Sequence, residues 1–398
     1  MSLIIKNGLV WDGTGAPART DLAVVADNGK VTRLCPVSEV VVKDGDEVID
    51  AAGKFVMPGM IDNHVHIHSS GDADTREENR ESVALRTLRA AHYARLDLEA
   101  GFTTVRNMGS GSGIDLGLKQ AMQMGLATGA RVITCGSCIT MTGGHGWMGG
   151  REVDGADEAR KAARELLKQG VELIKIMATG GVMTPGVEPG SPQLTEEEIR
   201  AAVEEAHKAG RKTATHAQGT EGIKNAVRAG IDSVEHGIFL DDEVIEMMKA
   251  RGTALIPTLV APLHIVEGGL AAGIPAYAVE KANRVFDAHR NSFKMALAAG
   301  VKIGMGTDAG TPLNRHGDNS LELQMLVENG MTPEQALLAA TKINAEIADR
   351  ANLIGTLEAG KFADILVVDG NPLEDIKVLR NKENIKLVIK EGKVVVCR

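Results

Sequence analysis

The strongest constraint on this chain is a rhythm. Between about Gly59 and Gly355, short apolar runs alternate with helical stretches. DNHVHI opens the series. TTVRNMG is followed by IDLGLKQAMQMG, and RVITCG comes third. ELIKIMA is followed, after a Gly/Pro loop, by LTEEEIRAAVEEAHKAG. KTATHAQG precedes EGIKNAVRAG, and SVEHGIF precedes DDEVIEMMKARG. ALIPTLV leads into a long helical stretch ending MALAAG, and KIGMGTDAG into NSLELQMLVENG. Runs of this length, trailed by helices, are the pattern of parallel βα units. Eight of them predict a (β/α)8 barrel, with residues 59–355 as its span. Thr195 with Glu198 predicts a capping box on the helix after the fourth run. A doubly wound open sheet is the alternative.

The chain ends have another texture. LIIKNGLVWD, DLAVVADNGKVTRLC and EVIDAAGKFVMPG alternate apolar and polar residues between Gly, Asn and Asp turns. GKFADILVVDG and NIKLVIKEGKVVVCR do the same, and IKNGLVWDG resembles IKEGKVVV. Period-two alternation with such turns predicts hairpins. Residues 1–58 with 356–398 are therefore expected to form one small β-sandwich domain closed across the termini. The fold class is α/β.

Composition excludes several functions. Of 398 residues, 43% are hydrophobic and 24% charged, the balance of a soluble globular enzyme. The net charge of −9 is spread without a basic patch, which argues against nucleic acid as a partner. No apolar run approaches the roughly 20 residues needed to span a bilayer. The N-terminus lacks the charged region of a signal peptide. Cys35, Cys135, Cys138 and Cys397 make no disulfide framework, so a cytoplasmic location is expected. Cys135-Gly-Ser-Cys138 has redox spacing, but it sits in a strand with no helix at its second cysteine.

Polar residues interrupt the apolar runs near their C-terminal ends, where a barrel gathers its functional groups. His64 and His66 end the first run, two apart and so on one face. Lys175 interrupts the fourth run, His216 the fifth, His236 the sixth and Asp308 the eighth. One buried histidine is usually a packed core residue. Six such residues at strand ends need a shared partner, because a charge buried alone is expensive. A metal centre supplies one. His68 reads as a residue that supports the ligands from behind or as a loop residue, and His92, His207 and His289 as surface or packing residues of helices. His264 is placed to reach the barrel mouth.

PGMIDNHVHI, Lys175, HAQG, EHG and GTDAG together resemble the amidohydrolase superfamily over essentially the whole chain. MTGGHG, KIMATGGV, EHGIFLDDE and NRHGDNSLEL resemble its Xaa-Pro dipeptidase (prolidase-like) and Arg/Lys carboxypeptidase branch. The resemblance implies two divalent metal ions, best read as zinc. His64, His66 and Asp308 would hold the more buried ion, and His216 and His236 the second. Lys175, carboxylated by carbon dioxide, would bridge them. A metal-bridged hydroxide would attack an amide, with Asp308 as proton shuttle and His145 holding the substrate carbonyl. Arg315 and His316 are placed to meet a substrate carboxylate. Phe239 stands where members of the branch carry tyrosine, which points away from a strict dipeptide pocket and toward an apolar acyl or aryl group.

The expected substrate is a dipeptide or N-acyl amino acid. Hydrolysis of aryl amides, ureas, carbamates or cyclic amides, imidazolonepropionase-like, is the second reading. A non-catalytic scaffold is the third, disfavoured by the complete ligand set. Glu188 and Asp318 are the carboxylates available for a basic leaving group. A homo-oligomer is expected.

Overall fold

Asn28-Gly29 and Glu391-Gly392 each put two consecutive residues at positive φ, 49° and 78° in the first pair, 49° and 72° in the second. That backbone matches the twist of a two-residue hairpin, and Asn-Gly suits it because both residues tolerate the left-handed region. The first turn closes Leu22–Asp27 onto Lys30–Pro36, and the second closes Ile385–Lys390 onto Lys393–Cys397. These hairpins belong to one of two units in the computed structural model, which describes residues 2–75, 78 and 80–398. That unit comprises Met1–Asp62, Leu96–Thr104 and Gly317–Arg398; the other comprises Asn63–Arg95 and Val105–His316.

In the first unit two sheets share one apolar core. The four-stranded sheet runs Lys30–Pro36, Leu22–Asp27, Leu3–Lys6, Glu47–Asp50. The five-stranded sheet runs Lys393–Cys397, Ile385–Lys390, Ile365–Val368, Phe55–Pro58, Leu9–Val10. Ile365–Val368 pairs antiparallel with Phe55–Pro58, so strands from the two chain ends are neighbours. Ile5, Val24 and Ala26 from one sheet meet Val56, Ile365, Val367 and Ile389 from the other. Alternation of side chains along each strand puts these residues on one face.

The second unit carries the parallel strands. Leu173–Met177, Lys212–Ala217, Ser233–His236 and Ala254–Ile256 pair in parallel in chain order. Helices Ala156–Gln169, Glu196–Lys208, Thr220–Ala229 and Asp242–Arg251 alternate with them. The expected capping box forms: Thr195 Oγ1 accepts from the Glu198 amide, and the Glu198 carboxylate accepts from the Thr195 amide. A separate three-stranded sheet, not confined to this unit, is made by Met60–Val65, Phe102–Asn107 and Arg131–Ile133.

Two of the expected runs differ from regular strands. The third ends at Ile133, and the amides of Cys135 and Gly136 donate to Asp115 Oδ2, each at 2.9 Å. A buried carboxylate thus takes the donors a longer strand would use. Two short strands inside the following loop, Ile139–Thr140 and Arg151–Glu152, take the edge of the six-stranded sheet, with Ile139 opposite Ile176. The eighth run makes single parallel bridges, Ile303 to Leu255 and Ala309 to Val65. Among the described residues no helix is long and apolar enough to cross a membrane.

Candidate metal centre and active site

His64 and His66 converge on one carboxylate. Their Nε2 atoms lie 3.2 and 3.1 Å from Asp308 Oδ1. Each ring is oriented from its other nitrogen. His64 Nδ1 sits 2.8 Å from Glu235 Oε2, and His66 Nδ1 3.2 Å from the Gly109 carbonyl. Both partners only accept, so each Nδ1 donates and each Nε2 keeps its lone pair. Asp308 Oδ1 is buried with no hydrogen-bond donor in line with it. Two nitrogen lone pairs and an orphaned carboxylate oxygen pointing together are a set that fits a divalent cation.

Three more groups line the same cavity of about 170 Å³: Lys175, His216 and His236. The His64 and His236 rings are 5.1 Å apart and those of His216 and His236 4.6 Å. His236 Nδ1 is 2.7 Å from Thr258 Oγ1, and His216 Nε2 is 3.3 Å from the Gly180 carbonyl. Burial holds both rings well below the usual histidine pKa, so both rings are neutral at neutral pH. Lys175 is 1% exposed. Burial lowers its pKa against the opposing pull of Glu235 and Asp308. Burial works to raise the Asp308 carboxyl, yet its pKa lies well below the usual carboxylate range.

Backbone strain marks the same place. His236, Thr258 and Asp308 have φ of 73°, 54° and 63° at the ends of three successive runs. Non-glycine residues, and β-branched threonine above all, avoid this region unless their surroundings impose it. At His236 the turn matters: Glu235 already faces inward, and the reversed backbone lets His236 line the cavity too. Gly181 is needed for closeness: a Cβ there would lie 2.6 Å from His145 Cε1 and 2.8 Å from His216 Nε2.

A model of the amidohydrolase family matches residues 55–395. The chain belongs to the amidohydrolase family. It is similar to ochratoxinase of Aspergillus niger, 32% identical over 98% of this chain and 86% of that protein. Among solved structures it is similar to a Xaa-Pro dipeptidase with methionine bound in its active site, with 32% identity, a TM-score of 0.92 and 99% of each chain covered. It is equally similar to a prolidase complexed with N-methylphosphonate-L-proline, with 32% identity, a TM-score of 0.93 and 100% of each chain covered.

The other expected residues of this family member fall in different places. His145 lines the cavity, with its ring 4.2 Å from that of His216 and Nδ1 2.9 Å from Thr184 Oγ1. Burial, with the Lys175 charge, lowers its pKa to about 4. Phe239 does not line the cavity; it packs with Ile265 and Ile274 in an apolar cluster. Arg315 is exposed, and His316 is buried, its ring stacked 4.8 Å from Tyr93 and its Nε2 3.2 Å from the His66 carbonyl. Neither lines the cavity. Glu188 pairs with Arg284, and Asp318 with Arg380.

Sequence reasoning missed several residues. Glu235 is fully buried, between His64 Nδ1 and Arg106 Nη2, the latter 2.8 Å from its Oε1. Burial would raise its pKa, but the Arg106 guanidinium and His64 draw it far down. His289, expected as a surface or packing residue, is buried and lines the cavity. Its Nε2 donates to the carbonyls of Pro257 (2.7 Å) and His236 (3.1 Å). Cys135 and Cys138 are buried free thiols, and burial raises both, Cys138 to about 11, the reverse of an activated thiolate.

Proposed function

We propose that this chain is a metal-dependent hydrolase of a C–N amide bond, acting on a dipeptide or an N-acyl amino acid. The observation that carries the reading is the convergence of His64, His66, Lys175, His216, His236 and Asp308 on one cavity. The likeness to a Xaa-Pro dipeptidase, a prolidase and ochratoxinase supports it. His64, His66 and Asp308 would hold one ion, and His216 and His236 a second, zinc suiting the nitrogen and oxygen donors. Lys175 would join both as a carbamate. Burial lowers the Lys175 pKa, which favours the neutral form of the amine that can attack carbon dioxide. When bound, such a pair of ions acidifies water and polarises a carbonyl.

The chain's own residues do the rest. Asp308, a carboxylate at neutral pH, takes a proton from the attacking water and delivers it to the leaving nitrogen. His145, neutral and anchored on Thr184, presents its free ring edge to the substrate carbonyl. Glu235 and Arg106 keep His64 in the tautomer that leaves Nε2 unprotonated. We read the six-stranded sheet, the three-stranded sheet and the eighth run as one (β/α)8 barrel, supported by the bridges from Ile303 and Ala309. A cytoplasmic homo-oligomer remains our reading, supported by the free cysteines for its location.

A second reading is hydrolysis of aryl or cyclic amides. It is favoured by the apolar wall of Met177, Val182, Ile238, Pro262, Ile265 and Val285. The test is a hydrolysis screen of zinc- and bicarbonate-supplemented protein over Xaa-Pro, Xaa-Arg and Xaa-Lys dipeptides, N-acyl amino acids, aryl amides and carbamates, with Lys175→Ala as control. Dipeptide or N-acyl amino acid turnover that vanishes in the control establishes the first reading. Turnover of aryl or cyclic amides alone replaces it with the second.

A further inference from the structure

A second chamber of about 160 Å³ adjoins the cavity, and His66, Gly146 and Met177 line both. Arg86 lines only the second chamber. It stands in the first turn of helix Val83–Glu99 and is 8% exposed. Among the described residues its guanidinium has no hydrogen-bond or ion-pair partner, and its Nε is buried without one. The nearby carboxylates are engaged elsewhere. Glu81 sits 2.6 Å from Arg89, and Glu78 accepts from Ser70 and lies 3.8 Å from Arg89. His68 lines the same chamber with its Nδ1 buried and unpartnered, under the positive charge of Arg86 and Arg89.

A guanidinium carries five donors and stays charged, so burying one unpaired is costly. Its planar fork matches a carboxylate with two parallel hydrogen bonds. The main cavity holds no arginine among its described lining residues, and its one lysine is Lys175. A carboxylate-bearing substrate therefore finds a free countercharge in the side chamber, next to His66. We propose that Arg86, with His68, forms a subsite for the carboxylate of the substrate, while the substrate's apolar part occupies the main cavity. Arg86 is then a specificity-determining residue. The assignment rests on the amide-hydrolase reading for its substrate.

The test avoids turnover by using ligands without an amide bond. Binding of 3-phenylpropanoate and of 3-phenylpropan-1-ol to the zinc-loaded protein is measured by calorimetry, with inorganic phosphate as a third probe. The expected result is a preference for the anion of roughly tenfold or more. Arg86→Gln should abolish the preference and leave the alcohol's affinity unchanged. Arg86→Lys should keep part of it, and carries the comparison if the glutamine variant does not fold. No preference in the wild type, or one that survives both substitutions, overturns the proposal, since the metal ions alone would then hold the anion. Phosphate binding at Arg86 as tightly as 3-phenylpropanoate also overturns it, in favour of a free anion. If the anion preference behaves as expected and no amide is hydrolysed, the subsite stands and the function falls. If neutral amides turn over and the preference is absent, the reverse holds.

Discussion

The strands of the two units are made from much the same residues and bury opposite things. The core around Ile5, Val24, Val56, Ile365 and Val367 is built from apolar side chains of both sheets. The parallel strands bury Lys175, His216, Glu235 and His236 beside their Val, Ile and Ala. In the first set each buried residue stabilises simply by leaving water, about 25 cal/mol per Å². In the second each buried ion must be met by another charge or a donor, and the arrangement specifies geometry more than it stabilises. The contrast teaches that stability and chemistry are carried by different strands, so substitutions should separate them.

The sharpest separation is at Asp308. Asp308→Asn removes the proton carrier and one metal ligand, so kcat/KM should fall roughly a thousandfold or more. Zinc content, read by elemental analysis, should drop with it. The unfolding midpoint should hardly move. Glu235→Gln should do both kinds of damage. It loosens the His64 ring, which lowers metal affinity roughly 10- to 100-fold. It also leaves Arg106 buried and unpaired, which costs roughly 3–5 kcal/mol in urea unfolding. A Glu235→Gln protein with unchanged metal affinity would leave the His64–Glu235 contact with no role at the site. Ile5→Ala lies at the other extreme. It should remove roughly 2–5 kcal/mol of stability with kcat/KM per folded molecule unchanged. Loss of catalytic rate in that variant would end the division of labour.

The site was legible where a polar residue broke an apolar run. His64, His66, Lys175, His216, His236 and Asp308 all carried that signal, and the structure brings all six to one cavity. Glu235 and Arg106 carried it too, in SVEHG and TTVRNMG, and an even application of the rule would have found both. Strand parity spoke against Glu235 beside His236; the positive φ at His236 resolves that conflict, and no local pattern announces it. His289 was hidden for another reason. Helical periodicity gives the face of a residue but not what that face packs on. Phe239, Arg315 and His316 follow loop paths, which depend on tertiary packing. Arg86 carries no signal in the sequence beyond a charge near a helix start, and only its missing partner sets it apart.

His289 offers the smallest effect and tests the comparison within the site unit itself. Its ring lies between two carbonyls in a place that disfavours charge, and burial lowers its pKa from 6.5 to about 4. Above pH 6.5 the ring is neutral in both folded and unfolded chains, and its full contribution to stability is present. Below 6.5 the unfolded chain takes up a proton that the folded chain refuses until about pH 4, so stability falls as pH falls through that window. At pH 5 the loss should be about 2 kcal/mol. His145 titrates in the same direction, so the acid slope will not vanish in a His289→Gln protein, but it should shrink by about one proton. Urea midpoints at pH 7.5 and pH 5, in wild type and variant, measure the difference directly. Equal slopes would mean that His289 accepts its proton in place, and that this wall of the cavity is more polar than its lining residues imply.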